Sequence, residues 1–229
     1  MTMKRLIIIV EGDTEKEFVD KILSPYFNSK VSVRIDCFKI KHSKGGLSKY
    51  AHLRTDILNS IYEDNVIVTT LIDFYALPHD FPKFEEAKNI ALKQKRIEFL
   101  EHAIKEEIEN SQNRQFDFFI PYIQLHEFEA LIFSSPIGIE AIFEKKDADF
   151  NKLNKIFCEF QNPEDINENP TTAPSKRLLN CIKGYNKVVH GKLILEEIGI
   201  EIIMEKCPGF KEWIHKIELY IENENIPNF

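Results

Sequence analysis

Lys4-Arg-Leu-Ile-Ile-Ile-Val10 runs straight into Glu11-Gly12-Asp13-Thr14-Glu15, and this junction decides how the chain is read. The first part is a continuous apolar run rich in β-branched residues, too short for a good helix and ended by a glycine. That is the pattern of a strand buried on both faces of a parallel sheet. The second part crowds carboxylates at the carboxyl end of that strand. Thr14 and Glu17 have the spacing of a capping box, so a helix is expected to begin at about Thr14. Ligands of open α/β sheets bind at the carboxyl ends of the strands. Carboxylates gathered at a strand tip repel one another unless a cation or ordered water lies among them.

Val66-Ile-Val-Thr-Thr-Leu-Ile-Asp73 repeats the design, a continuous apolar run ending on a carboxylate. Between the two runs, the first helix turns Phe18, Ile22 and Leu23 inward, and Pro25 should end or bend it. Val31 to Ile40 alternates as a half-exposed or edge strand, and Tyr50 to Tyr62 carries a helical apolar stripe. A long surface helix is expected from Glu85 to about Asn110. Phe116 to Leu125 reads as a fourth strand, with Pro121 marking an edge position or a bulge, and His126-Glu-Phe-Glu129 as a helix start at its tip. Strand–helix order repeated in this way gives an α/β fold with a parallel sheet of about four strands flanked by helices over residues 1–135. Residues 136–229 read as a helical C-terminal extension packed on that core, with a last helix opening at Pro208.

The apolar fraction of 43% is ordinary for a globular protein. A formal net charge of −7 argues against coating nucleic acid by bulk charge, while leaving room for a local basic groove. Cys37, Cys158, Cys181 and Cys207 are scattered without metal-ligand spacing and read as free thiols. The basic start and apolar run superficially resemble a signal peptide, but no small-residue cleavage site follows. No stretch approaches the roughly 18 apolar residues that span a bilayer. The expectation is a soluble, cytoplasmic protein without membrane contact.

Three strand ends thus deliver acids: Glu11 with Glu15, then Asp73, then Glu127 and Glu129. Taken singly, each acid also reads as a solvated loop residue; the coincidence of three strand ends points to a site. Clustered carboxylates suit a hard cation, Mg²⁺ or Mn²⁺, able to activate a phosphoryl centre. Around them, His126 could orient a carboxylate or bind metal, or make a structural hydrogen bond. Lys176 and Arg177, at a helix start, could grip a phosphate or be a solvated first turn. Lys44 lies in a basic glycine turn without P-loop spacing, either a connector or a loop touching backbone phosphates. Tyr75 and the aromatic loop around Phe81 could stack on a base or pack on a helix.

The strand–Glu11–Gly12–helix unit, followed by a strand ending in Asp73, resembles the Toprim domain of topoisomerases, primases and OLD-family nucleases. That resemblance implies a metal-linked general acid/base at Glu11 and a Mg²⁺ ligand at Asp73, and the Glu11–Glu15 spacing resembles the OLD type. One departure is plain: Tyr75 stands where the second acid of an Asp-x-Asp pair is expected, so the site must differ or borrow Asp80, Glu127 or Glu129. The chain also resembles a bacterial family, Domain of unknown function 4276. The resemblance is carried by Val10-Glu-Gly-Asp-Thr-Glu15, Ile72-Asp-Phe-Tyr75, Leu77-Pro78, His126-Glu-Phe-Glu-Ala-Leu131, Ala173-Pro-Ser-Lys-Arg177 and Cys207-Pro208. It implies a Toprim-like fold and association with ATPases of phage-defence systems. The expected function is a Mg²⁺- or Mn²⁺-dependent nuclease, acting on DNA rather than RNA beside an AAA- or ABC-type ATPase. Glu11, Asp73 and Glu127 would be catalytic, with Glu15 and Glu129 as further ligands. The alternatives are a non-catalytic interaction or sensor subunit of such a complex and, ranked lowest, a phosphoacceptor receiver.

Overall fold

Burial on both faces places β1 (Lys4–Val10) and β3 (Val66–Asp73) at the centre of the sheet. The computed structural model describes residues 3–41, 46–166 and 171–222. β1 pairs in parallel with β2 (Val33–Lys39) on one side and with β3 on the other. β3 continues the parallel pairing to β4 (Phe119–Ile120) and β5 (Ile123–Gln124). The order is therefore β2-β1-β3-β4, with β5 also on β3. β2, partly exposed along most of its length, lies at an edge, as its sequence suggests.

The interrupted strand at the other edge is explained by Pro121, which has no N–H for a ladder. The Thr70 hydroxyl fills the gap, accepting from the Tyr122 N–H and donating to the Tyr122 carbonyl, each at 2.9 Å. The Ile123 N–H donates to Glu101 at 2.9 Å. The Thr69 hydroxyl donates to the Ile120 carbonyl and accepts from the indole N–H of Trp213 at 2.8 Å. Two buried threonines within an apolar strand thus complete a hydrogen-bond network that leaves few orphans.

Strand alternation divides the core between two faces. Leu6, Ile8 and Val10 pack with Phe18 of α1 (Asp13–Phe18), Leu23 and Phe27, and with much of the C-terminal half. Ile7 and Ile9 pack with α3 (Tyr50–Ile61) and α5 (Lys93–Gln112). On the first face lie α8 (Pro174–Cys181), α9 (Lys187–Ile198), α10 (Ile200–Lys206) and α11 (Pro208–Glu222). Leu178, Ile194, Ile203, Phe210 and Trp213 from these helices join the same cluster as β1. Each fully buried aliphatic or aromatic side chain of this kind contributes about 1.5–3 kcal/mol.

Two local expectations are corrected and a third, at Pro25, is narrowed. The first helix begins at Asp13 with Gly12 as its N-cap and no side-chain cap. Thr14 is buried inside the first turn, and Glu17 pairs with Lys192 at 2.9 Å, so no capping box forms. Pro25 does not end the helix: a π-helical turn, Val19–Leu23, absorbs its missing N–H, and α2 (Ser24–Lys30) follows directly. The long helix from Glu85 is divided into α4 (Phe84–Ala87) and α5, the intervening turn being tied by the Arg96 guanidinium to the Ile90 carbonyl at 2.7 and 3.1 Å. Two further helices are α6 (Ile137–Ile142) and α7 (Phe150–Glu159). The four cysteines are free thiols, and among the described residues no helix is long and apolar enough to cross a membrane.

Candidate functional site

In a sheet ordered β2-β1-β3-β4, the connections turn opposite ways on the two sides of the β1–β3 boundary. A crevice at such a switch point, outside the carboxyl ends of the strands, is where open α/β sheets bind ligands. Val10 pairs with Leu71, so Glu11 and Asp73 emerge side by side there. The Asp73 backbone N–H donates to Glu11 Oε2 at 3.4 Å. Glu15 comes from the first turn of α1, and Glu129 from a 3₁₀ turn, Phe128–Ser134, that follows β5. Glu15, Asp73 and Glu129 are 4%, 9% and 1% exposed.

This arrangement is electrostatically unfavourable without a counter-charge. Asp73 Oδ1 is buried without a hydrogen-bond partner. Glu129 meets the Lys187 ammonium at 3.2 Å, yet neither of its oxygens makes an aligned hydrogen bond. Burial, and then the charge of Glu15, raise Glu11 to about 7. The same two causes push Asp73 well above the usual carboxylate range, and burial raises Glu129. Lys187, in the first turn of α9, reaches in to 3.7 Å from Glu15 and 3.2 Å from Glu129. Burial would lower its pKa, but the carboxylates of Glu129, Asp73 and Glu15 raise it above the ordinary value. Gly46, with a φ of 75° that favours glycine, closes on the site: a Cβ there would stand 3.3 Å from Glu11 Oε1.

The remaining sequence candidates divide. Glu127 lies beside the cluster, but one carboxylate oxygen accepts from the Ser175 N–H at 3.0 Å, at the start of α8. That helix start thus already faces an anion from the chain itself. Lys176 is exposed, whereas the Arg177 guanidinium donates to the Thr172 carbonyl at 2.8 Å and lies over the Phe160 ring. Asp80 accepts from the Tyr50 N–H at 3.1 Å, at the start of α3. Tyr75 stacks on His126, with ring centroids 5.3 Å apart. His126 opens no α-helix: its φ is 72° and the 3₁₀ turn follows. Burial, and then Lys93 and Arg96, lower its imidazole to about 4. Phe81 is buried against Tyr50. Lys44 lies outside the described residues.

Lys187 and Tyr185 were not legible as site residues. The Tyr185 hydroxyl is buried near Glu129 and Glu127 without a partner. Asn186 caps α9 through the Val189 N–H at 3.0 Å, which places Lys187 in a first turn, where the helix dipole disfavours a cation. That local mismatch is the signal a sequence reader could have used. Buried, unpartnered carboxylate oxygens fit a hard divalent cation in chemistry. In position they do not yet form a cage: among the described residues, no three His, Cys, Asp or Glu side chains are grouped to hold a metal ion.

The family model described as Domain of unknown function (DUF4276) matches residues 10–218. No curated protein and no solved structure matches the chain.

Proposed function

Since the chain belongs to the DUF4276 family, whose description assigns no activity, we propose from the site itself that it is a Mg²⁺- or Mn²⁺-dependent phosphodiesterase acting on nucleic acid. The observation that carries this reading is the meeting of Glu11, Glu15, Asp73 and Glu129 at the switch point, with Asp73 Oδ1 buried without a partner and Glu129 met by the Lys187 ammonium without an aligned hydrogen bond. Asp73 and Glu129 would hold the cation, with Glu15 beside them, after modest side-chain rotation and withdrawal of Lys187. A cation bound there supplies Lewis-acid polarisation of a phosphoryl oxygen. Glu11, oriented by the Asp73 N–H, is placed to hold or transfer a proton, the function of a general acid/base. The Toprim resemblance of Glu11 and Asp73 supports the same assignment. DNA as substrate, an ATPase partner and a role in phage defence rest on resemblance alone and belong to the proposal.

A second reading, a non-catalytic interaction subunit, is favoured by Lys187, which already supplies an internal cation to the cluster. Calorimetric titration with Mn²⁺, wild type beside Asp73→Asn, separates the two. The nuclease reading expects saturable binding that falls at least roughly tenfold in the variant, as for loss of a direct ligand. No binding by the wild type would sink it and leave the interaction subunit. Cleavage assays with single- and double-stranded DNA follow, with Asp73→Asn expected to be inactive.

A further inference from the structure

The least satisfied side chain beside this cluster is His126. Its imidazole is 4% exposed, and neither ring nitrogen has a hydrogen-bond partner. A neutral imidazole carries one donor and one acceptor, and buried polar groups in native proteins are almost always paired. The ring is held by unusual means: a φ of 72° at a non-glycine residue, and Tyr75 stacked above it at an interplanar angle of 21°. Tyr75 itself is 47% exposed, so it is a cover that can turn outward. The stack adjoins the carboxylates, because Asp73 pairs in register with Gln124 and both rings lie two residues beyond that pair. On its other side, α5 brings Lys93 and Arg96 near enough to act on the charge of the imidazole. Arg96 is fixed there by its bonds to the Ile90 carbonyl, and the Lys93 ammonium lies 3.4 Å from the Asp165 carbonyl oxygen.

A cluster of carboxylates repels a phosphate group, so a phosphodiester approaching it needs positive potential and a hydrogen-bond donor close by. We propose that His126, covered by Tyr75 and backed by Lys93 and Arg96, is the anion subsite of this centre, donating its ring N–H to a non-bridging oxygen of the substrate's phosphate. The inference rests on the phosphodiesterase reading and adds a division of labour: the acids take the cation, and the histidine takes the phosphate. Tyr75, standing where a second acid would be expected, then serves as the movable cover of that subsite.

Inorganic phosphate is the probe, titrated into the full chain in chelator-containing buffer. The readouts are calorimetry and the histidine side-chain nitrogen resonances. The expected result is saturable binding that shifts the His126 ring signals. His126→Phe keeps a stacking ring but removes both nitrogens, and should weaken phosphate binding roughly tenfold, the effect of losing one hydrogen bond to a charged group. Its Mn²⁺ affinity should stay within about twofold, since the cation ligands are unchanged. Three results would overturn the inference: no saturable phosphate binding by the wild type, unmoved His126 resonances at saturation, or wild-type phosphate affinity in His126→Phe. The resonance test uses the wild type and so decides the matter even where the variant fails to fold. Phosphate binding at His126 without any Mn²⁺ binding would end the cation reading and leave the anion subsite standing.

Discussion

Replacing Glu11 by Gln keeps an acceptor for the Asp73 N–H while removing a carboxyl that burial and Glu15 raise from 4.5 to about 7. Between those pH values the folded protein retains a proton that the unfolded chain has released. Stability therefore falls as pH rises from about 4.5 through about 7. At about 1.4 kcal/mol per pH unit, the developed loss from Glu11 alone is about 3 kcal/mol. Glu11→Gln does not titrate, so the variant is expected to match wild type near the acid end and to exceed it by about 2–3 kcal/mol above about pH 8. For a chain of this size that corresponds to roughly 5–10 °C in Tm. Asp73 and Glu129 are also raised, so the transition is shared among the group rather than belonging to one residue. Urea denaturation of both proteins across this pH range, in chelator, measures the difference directly. A difference that stays flat with pH, or a variant less stable than wild type at the alkaline end, would refute the electrostatic account. Mn²⁺, held by Asp73 and Glu129, should stabilise both proteins, by about 2.7 kcal/mol at a hundred times the Kd of each.

Other perturbations test the surroundings. Lys187→Met removes the ammonium 3.2 Å from Glu129. It should lower stability by about 1–3 kcal/mol at alkaline pH, while tightening Mn²⁺ binding because no internal cation competes; no change in either quantity would show that Lys187 is a bystander. At Gly209, an added Cβ would stand 2.9 Å from Glu164 Oε1, a carboxylate held by the N–H groups of Gly209 and Phe210 at 2.8 and 3.0 Å. Gly209→Ala should therefore destabilise the start of α11 by about 1–3 kcal/mol and leave Mn²⁺ affinity unchanged, as denaturation and calorimetry would report.

Much of this architecture was written locally. A strand buried on both faces is apolar at most positions, so Leu6–Val10 and Val66–Ile72 identify the two central strands from composition alone. Parallel strands share a direction, so the acids that end them had to appear at one edge of the sheet. The family is likewise carried by short stretches, and the family match bears it out over residues 10–218. Two local expectations failed, one to a distant partner and one to a nearby side chain. The Thr14–Glu17 spacing promised a capping box, but Thr14 is buried and Lys192 takes Glu17. Helix propensity favoured one long helix after Glu85, but Arg96 ties the turn before it to Ile90.

The candidate site divides in the same way. Its carboxylates are legible because each follows a strand whose own pattern announces where it ends. Lys187, Tyr185 and the isolation of His126 are not, because they depend on which helix crosses the sheet edge and which backbone conformation a turn is forced to adopt. Local sequence set the ionisable groups and the end of the sheet that bears them. Tertiary packing alone decided that Lys187 would lie among the acids, that Glu127 would face the start of α8, and that His126 would be buried beneath Tyr75. Those contacts join residues far apart in the chain, and their geometry is set by the packing of whole elements rather than by any neighbouring residue.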